Sequence, residues 1–555
     1  MKKRLLALVL GAALALSLLG GCGSGKGDKD SASQETEKES VEEKEEESGD
    51  NSGTKADRER ADEDPAALAI AQRKADAEKN GKYQKVVFTF YNWTGRPAGT
   101  DRIQEKLNEH FREKLGLEVE ILLMDSASYT QNARLMLSSG EQIDIFNSCP
   151  LGYTACVNDG YCLDLEEDDL IQTYGKGILD TISADYIQAC RINNILYGIP
   201  QMRDMAMAPG TYCIGQEYLD GIGYDYTSLY EDPRVQDVIY TDYETLDDIF
   251  SQLHEKYPDK YVFAVGDNLI SQGTGVDPVG GDWFGVLLDP ANSLTVENLF
   301  TSDLFKEKCQ MVYEWNQKGY ISKDALTDDT ALSAKVKSGS YMAMMAQGKP
   351  GYKTQISGEC GSPMIVFQTE EDIMKSSAVT GILWHINQGC EDPVAAIQVM
   401  ELLYTDPDVS NLIIWGEEGT EYVETPDGHI TFAQGVNAEN SEWYHTMNWL
   451  LPNQYIAHIW EGDSLDLWER MEEFNDNSVK SKALGFTFDN SEYATEYTAL
   501  TNVYDEYIKQ IMYGFVDPET GIAQMQEKLE NAGLNDYIAA KQKALDDWAA
   551  ANGVN

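Results

Sequence analysis

From Lys85 the chain runs through strand and helix patterns in strict succession, and this alternation constrains the fold more than any other feature. "KVVFTFYNW" (Lys85 to Trp93) is a run of β-formers. "GTDRIQEKLNEHFREKLGLEVEILLM" follows, with apolar residues at Ile103, Leu107, Phe111 and Leu115 at helical spacing, then a second β run. "SYTQNARLMLSSGEQIDIFNS" repeats the unit, with a helix through Leu135 and Leu137, a stop at Gly140 and a third strand over Ile143 to Phe146. Consecutive strand–helix–strand units predict an α/β fold with a parallel sheet, and such sheets take ligands in the crevice outside the strand C-ends. The loops that open there are "YNWTGRPAGT", "MDSASYT" and "NSCPLGYT".

Nothing before Lys85 offers a comparable core. Lys2, Lys3 and Arg4 followed by the apolar run Leu5 to Leu19 form a secretory signal. The run is short of the roughly 20 residues a membrane span needs. Leu19-Gly20-Gly21-Cys22 resembles the bacterial lipobox, which implies cleavage after residue 21 and a diacylated Cys22 holding the chain to the outer face of the cell membrane. Residues 23 to 64 are almost all Gly, Ser, Lys, Glu and Asp, with too little apolar surface to fold. A coil from Cys22 to Tyr83 would span roughly 45 Å. Residues 22 to 84 are therefore expected to be an acidic linker, with a short adaptor helix between Asp64 and Tyr83 spaced by Leu68, Ile70 and Ala71.

The stretch after Lys85 exceeds what one hydrophobic core usually supports, so at least two lobes are expected. A formal net charge of −51 argues against nucleic acid and anionic surfaces as partners. Eight cysteines follow Cys22 with no CxxC pair, which supports buried free thiols, with a bridge among Cys149, Cys156 and Cys162 as the alternative. Structural zinc needs paired close ligands, and that spacing is missing, so no metal is assigned.

The order of the motifs carries a resemblance. "FYNW", "LSSGEQIDIF", "DGYCLDLEEDDLI", "NNILYGIPQ", "YETLDDIFSQLHEKYPDKYVFAVGD", "VKSGSYMAMMAQGKPG" and "VTGILWHINQGCEDPVAAIQVMELLYTDPDV" resemble, in sequence order, bacterial extracellular solute-binding proteins of the carbohydrate-binding kind, relatives of the maltose-binding protein. "WGEEGTEYV", "WLLPNQY" and "GFTFDN" resemble a long lipoprotein subfamily with an added helical C-terminal segment. The resemblance implies a two-lobed periplasmic-binding-protein fold, each lobe a mostly parallel sheet flanked by helices, with a hinge and ligand cleft between. Lobe one is then 85–199 plus 378–408, and lobe two 200–377 plus 409–555.

It also implies a lipid-anchored substrate-binding component of an ABC importer that captures a sugar, an oligosaccharide by preference, and passes it to a membrane permease. The chain is expected to act as a monomer with no cofactor and no catalytic residue. A surface-anchored glycoside hydrolase and a static glycan- or peptide-binding lipoprotein stay open as alternatives.

A pyranose needs aromatic platforms beside planar donors and acceptors, so crevice-loop residues of those kinds are the candidates. Asn92, Trp93 and Arg96 follow the first strand, with Trp93 either a platform or a core indole. Asp125 and Tyr129 follow the second, and Asp125 either contacts ligand or caps the next helix. Ser148 follows the third. Arg203 and Asp204 sit past the "YGIP" crossing, for ligand contact or for a mutual ion pair. In "GGDWFGV", Asp282 and Trp283 stand where the family places stacking aromatics, and Gln347 ends the "YMAMM" strand. Trp384, favoured over His385, ends a lobe-one strand, and Trp415 with Glu417 lies in "WGEEG" for contact or structure.

Overall fold

The computed structural model describes residues 64–92, 95–230, 237–443 and 447–554. The signal, Cys22, the linker to residue 63 and Trp93 lie outside these described residues. Ten strands build two five-stranded sheets: β1 (Gln84–Asn92), β2 (Leu117–Asp125), β3 (Ile145–Asn147), β4 (Ile199–Pro200), β5 (Ala208–Gly215), β6 (Ile239–Tyr240), β7 (Tyr261–Ala264), β8 (Tyr341–Gly348), β9 (Met364–Gln368) and β10 (Leu383–Ile386). The first sheet has the order β2-β1-β3-β10-β4 and the second β6-β9-β5-β8-β7.

Both sheets are more mixed than consecutive strand–helix–strand units predict. β1 pairs parallel with β2 and β3, but β10 runs antiparallel to β3 and β4. β5 runs antiparallel to β8 and β9, whose outer neighbours β7 and β6 are parallel to them. The physical reason is that β10 and β5 enter their sheets after crossing between lobes, and so return in the opposite sense.

Helix α1 (Pro65–Asn80) shows that the linker ends earlier than residue 84. Asp64 caps it by accepting from Ala66 N at 3.0 Å, proline opens its first turn, and Gly81 closes it at φ 64. Its buried contact is Arg73, which donates from Nε to Leu115 O at 3.2 Å and from a guanidinium nitrogen to Gln398. The helix docks by this arginine and Ala77, while Leu68 stays 43% exposed.

Helix α2 (Thr100–Leu115) buries Ile103, Leu107, Phe111 and Leu115, as its spacing predicts. α3 (Ser126–Ser139) buries Tyr129, Ala133 and Leu137, leaving Leu135 exposed, and stops at Gly140. α4 (Tyr153–Asn158) starts six residues past β3.

The first core runs from Val86 to Met205 and then takes in Met374 to Ala457, so residues 409–457 pack with the first lobe and not with the second as the boundary at 408 supposed. The helix Pro407–Trp415 buries Val409, Ile413 and Ile414 against that core and packs on α2. Arg102 of α2 pairs with Glu421 and, at 3.0 Å, with Glu417, which holds the "WGEEG" turn to the same lobe.

α5 (Leu467–Asn477) then buries Leu467 and Met471 in a small cluster of its own with Ile459. Helices α6 (Ala494–Met512), α7 (Pro518–Asn531) and α8 (Leu534–Asn552) pack on the second core through Leu500, Ile511, Met525, Leu529 and Tyr537. Among the described residues no helix is long and apolar enough to cross a membrane.

Candidate functional site

Strand register places five chain segments at one edge of the first sheet. Asn92 is opposite Asp125, Trp384 is opposite Asn147, and Pro200 is opposite Leu383, so the ends of β1, β2, β3 and β4 and the start of β10 meet there. The second sheet has a matching edge: Gly348 faces Ala208, Gln368 faces Tyr240, and Met344 faces Ala264.

The crossover joins the two edges. Residues 201–207 run between them, Met207 bridges to Ile373, and Ile373–Met374 pairs in turn with Val479–Lys480. Lys349, one residue past β8, ion-pairs with Asp204 at 3.3 Å. Asn475 of α5 holds the crossing backbone by accepting from Met205 N and Ala206 N at 2.8 and 2.9 Å and donating to Arg203 O at 2.8 Å.

Several predicted residues are used by the fold itself. Tyr129 is fully buried, packs its ring tilted against Tyr91 at 5.0 Å and donates its hydroxyl to Asn147 O at 2.8 Å. Trp384 is 1% exposed and donates its indole N–H to Leu450 O at 3.0 Å. Both are core aromatics whose polar atom satisfies a backbone carbonyl, so neither is a ligand platform. Trp415 is half-buried, donates to His458 O at 3.1 Å and packs 5.3 Å from Trp460. It braces the turn whose Glu417 pairs with Arg102 and Lys106. Asp125 takes the capping role, accepting from Ser128 N at 3.1 Å, and these bonds hold its carboxyl below the usual range. Ser148 is buried, with its amide on Leu383 O at 3.0 Å.

Other candidates stay near the edges. Asn92 ends β1 and is buried. Arg96 is half-exposed and pairs with Asp101. Arg203 and Asp204 form the mutual ion pair that was the alternative to ligand contact, at 3.6 Å, yet Arg203 Nε is buried with no hydrogen-bond partner among the described residues. Gln347 is exposed at the end of β8, beside an irregularity in the β8–β5 register. Trp283 is half-buried on the second core, next to a fully engaged Asp282. His385 is wholly buried with Nδ1 on Tyr197 O at 2.6 Å, and burial lowers its pKa to about 4.

Residues that the sequence reading passed over complete the edge. Gln201 is 1% exposed, and both atoms of its amide lack a hydrogen-bond partner among the described residues, as does Asn147 Nδ2. Two amides of this kind at converging strand ends match the planar groups a polyol requires. Their signal was position alone, one residue past "IP" and the last residue of β3. Trp449 is half-buried in a short helical turn, Asn448–Leu450, which lies beside the start of β10 because Trp384 bonds Leu450.

Two cavities flank α5. One of about 230 Å³ at the crossing is lined by Tyr186, Gln201, Arg203, Tyr455 and Glu472. The other, about 620 Å³ at the edge of the second sheet, is lined by Tyr240, Lys349, Gln368, Asp372, Arg470 and Glu473. The eight described cysteines are free thiols, six of them buried, and burial raises Cys156 to about 12 and Cys360 to about 11. Such thiols are packing groups.

Residues 482–550 match a family model described as a domain of unknown function, DUF3502. Over 468 residues the chain is 24% identical to a carbohydrate ABC transporter substrate-binding protein of Streptococcus pneumoniae serotype 4, covering 84% of this chain and 91% of that protein. Among solved structures, the N-glycan transport solute-binding protein of Streptococcus pneumoniae superposes with a TM-score of 0.73 at 22% identity, covering 84% of this chain and 98% of that one. The fold is that of a two-lobed extracellular solute-binding protein. A further member, from Bifidobacterium longum subsp. infantis, superposes with a TM-score of 0.57 at 15% identity over 84% of this chain and 98% of that one.

In a solute-binding-protein fold the two strand-end edges are the walls of the crevice and the crossover is its floor. The Gln201 amide and Asn147 Nδ2, both without a partner among the described residues, lie at the strand ends of the first sheet, and Gln347 and the 620 Å³ cavity at those of the second.

Proposed function

We propose that this chain is the extracytoplasmic substrate-binding component of an ABC importer, capturing an oligosaccharide in the crevice and delivering it to a membrane permease. The observation that carries the reading is the convergence of both strand-end edges on one crossover, where the Gln201 amide and Asn147 Nδ2 are buried without a partner among the described residues. Buried polar groups are nearly always bonded, so orphaned amides at a crevice favour a ligand rich in hydroxyls. The match over 84% of this chain to a carbohydrate ABC transporter substrate-binding protein supports the same class.

Binding closes the lobes about the crossover, because ligand that touches both walls favours the closed form. The permease then reads that form. Lipid on Cys22 would keep the binder beside it, with a leash that ends at α1.

A thermal-shift screen over a glycan panel tests the reading. Ligand at about 100 times its dissociation constant adds roughly 2.7 kcal/mol and raises the melting temperature. A shift with peptides and none with glycans overturns the sugar class. Release of reducing sugar from the same glycans would mark the chain as a hydrolase instead.

A further inference from the structure

The C-terminal segment 482–550, the stretch matched by the domain of unknown function, touches the second lobe at one unusual place. Between Asp277 and Leu287, which form an antiparallel bridge, the chain makes a loop, "PVGGDWFGV". Asp282 in that loop is 7% exposed and receives Lys541 Nζ from α8 at 2.9 Å on one carboxylate oxygen and the Tyr537 hydroxyl at 2.8 Å on the other. Lys541, with a fully buried side chain, also donates to Gly285 O at 3.0 Å. Phe284 donates its amide to Asp282 at 2.9 Å and sets its ring edge-on to Tyr537, Tyr497 and Tyr504.

Asp282 and Phe284 are thus both drawn inward, and Trp283 between them is only partly buried against the second core. Gly280, at φ 98, brings the loop backbone so close to Phe488 that a Cβ there would sit 2.5 Å from the Phe488 Cβ. An ammonium buried without water must keep its carboxylate and carbonyl partners, so this network fixes the loop at several points.

The same segment reaches the hinge and the opposite wall. Gly485 N donates to Ser376 O at 2.9 Å, and Ser376 donates to Asp277, at the loop's stem, through N at 2.8 Å and Oγ at 2.7 Å. Thr154 and Asn158 of α4, just past β3, bond Thr487 and Asp489 at 2.9 Å each.

We infer that the 482–550 segment is a positioning element for ligand capture: Lys541 and Tyr537 hold the 278–286 loop, and Trp283 with it, on a stem that bonds Ser376, two residues past the Ile373–Met374 crossing. The inference rests on the sugar-binding reading for its ligand, and not for the loop itself.

The test is the paired variant Asp282→Asn with Lys541→Gln, which removes both buried charges together and strands neither. Amide exchange is read over 278–286, beside the melting temperature and the dissociation constant of the glycan that most stabilises the wild-type protein. The expected result is at least tenfold faster exchange confined to that loop, and at least tenfold weaker binding, with the melting temperature lowered by only a few degrees. Unchanged loop exchange, or faster exchange with affinity within twofold of wild type, overturns the inference. If the pair does not fold, Tyr537→Phe, which deletes one hydroxyl, is expected to give the same pattern at about threefold, and no change in loop exchange overturns it. If the wild-type protein binds no glycan, the sugar reading fails, and the exchange arm alone decides whether the segment holds the loop.

Discussion

The two walls of the crevice are built by different means. The first lobe makes its wall from strand ends that are consecutive with its own core: Tyr129 and Trp384 fill the space behind it and spend their polar atoms on Asn147 O and Leu450 O. The second lobe relies on charge pairs drawn from distant parts of the chain: Lys349 with Asp204 beside its strand-end edge, and Lys541 with Asp282 under the 278–286 loop. A wall made of core aromatics is expensive to disturb and tells little about ligand. A wall held by partner residues moves when they move.

The largest effect is expected where the first wall is also core. Trp384→Ala removes a buried indole and leaves Leu450 O without its donor, at a cost of about 3–5 kcal/mol, read as a fall in the urea midpoint. Trp283→Ala, by contrast, is expected to lose glycan affinity with little change in midpoint. Equal midpoint losses for the two would erase the distinction between the walls.

Acid should act next. His385, buried and held neutral, has its pKa lowered to about 4 from an ordinary 6.5. Between those values the unfolded chain binds a proton that the native chain does not, so stability falls as pH drops from about 6.5 to 4. The loss is on the order of 3 kcal/mol, and His385→Gln should flatten that limb of a pH–stability profile.

Gln201→Ala should cost little stability, under about 1 kcal/mol, because its amide has no protein partner to lose. The same change is expected to weaken glycan binding by about 5- to 30-fold in calorimetry, the worth of one or two hydrogen bonds. Unaltered affinity would remove Gln201 from the site.

Asp463, at the entry to α5, should act against His385 over the same pH range, because its carboxyl is raised to about 6, chiefly by burial. Its folded pKa exceeds the unfolded one, so the stability it contributes is complete below about pH 4 and is lost as pH rises through 6. Asp463→Asn should remove that slope, opposite in sign to the one from His385.

Local patterns were legible wherever one element decided the outcome. Ile103, Leu107, Phe111 and Leu115 line one face of α2 because a helix with that spacing has one apolar stripe. Gly140 ends α3 because the left-handed turn at φ 76 suits glycine. Asp125 was an even choice between cap and ligand, and the cap won because Ser128 presents both its amide and its hydroxyl. Residue type and position suggest Tyr129 and Trp384 as ligand groups and leave Trp415 open between contact and structure. Their burial depends on Asn147, Leu450 and His458, which approach from other segments.

The boundary at 408 misplaced 409–457 for a similar reason. The apolar helix Pro407–Trp415 suits either core, and its choice was made by α2, with Arg102 awaiting Glu417 and Glu421.

By itself the sequence determined the α/β succession, the need for two lobes, the apolar faces of the helices and the order of motifs that marks a solute-binding protein. The first three follow from periodicity and composition, which act between residues a few positions apart, and the last from resemblance to a known family. Only the tertiary structure decided which aromatics are core, which amides are left without partners, and that Lys541 reaches back 259 residues to Asp282. A buried charge can be tolerated only beside its partner, and packing alone brings partners together across that length of chain.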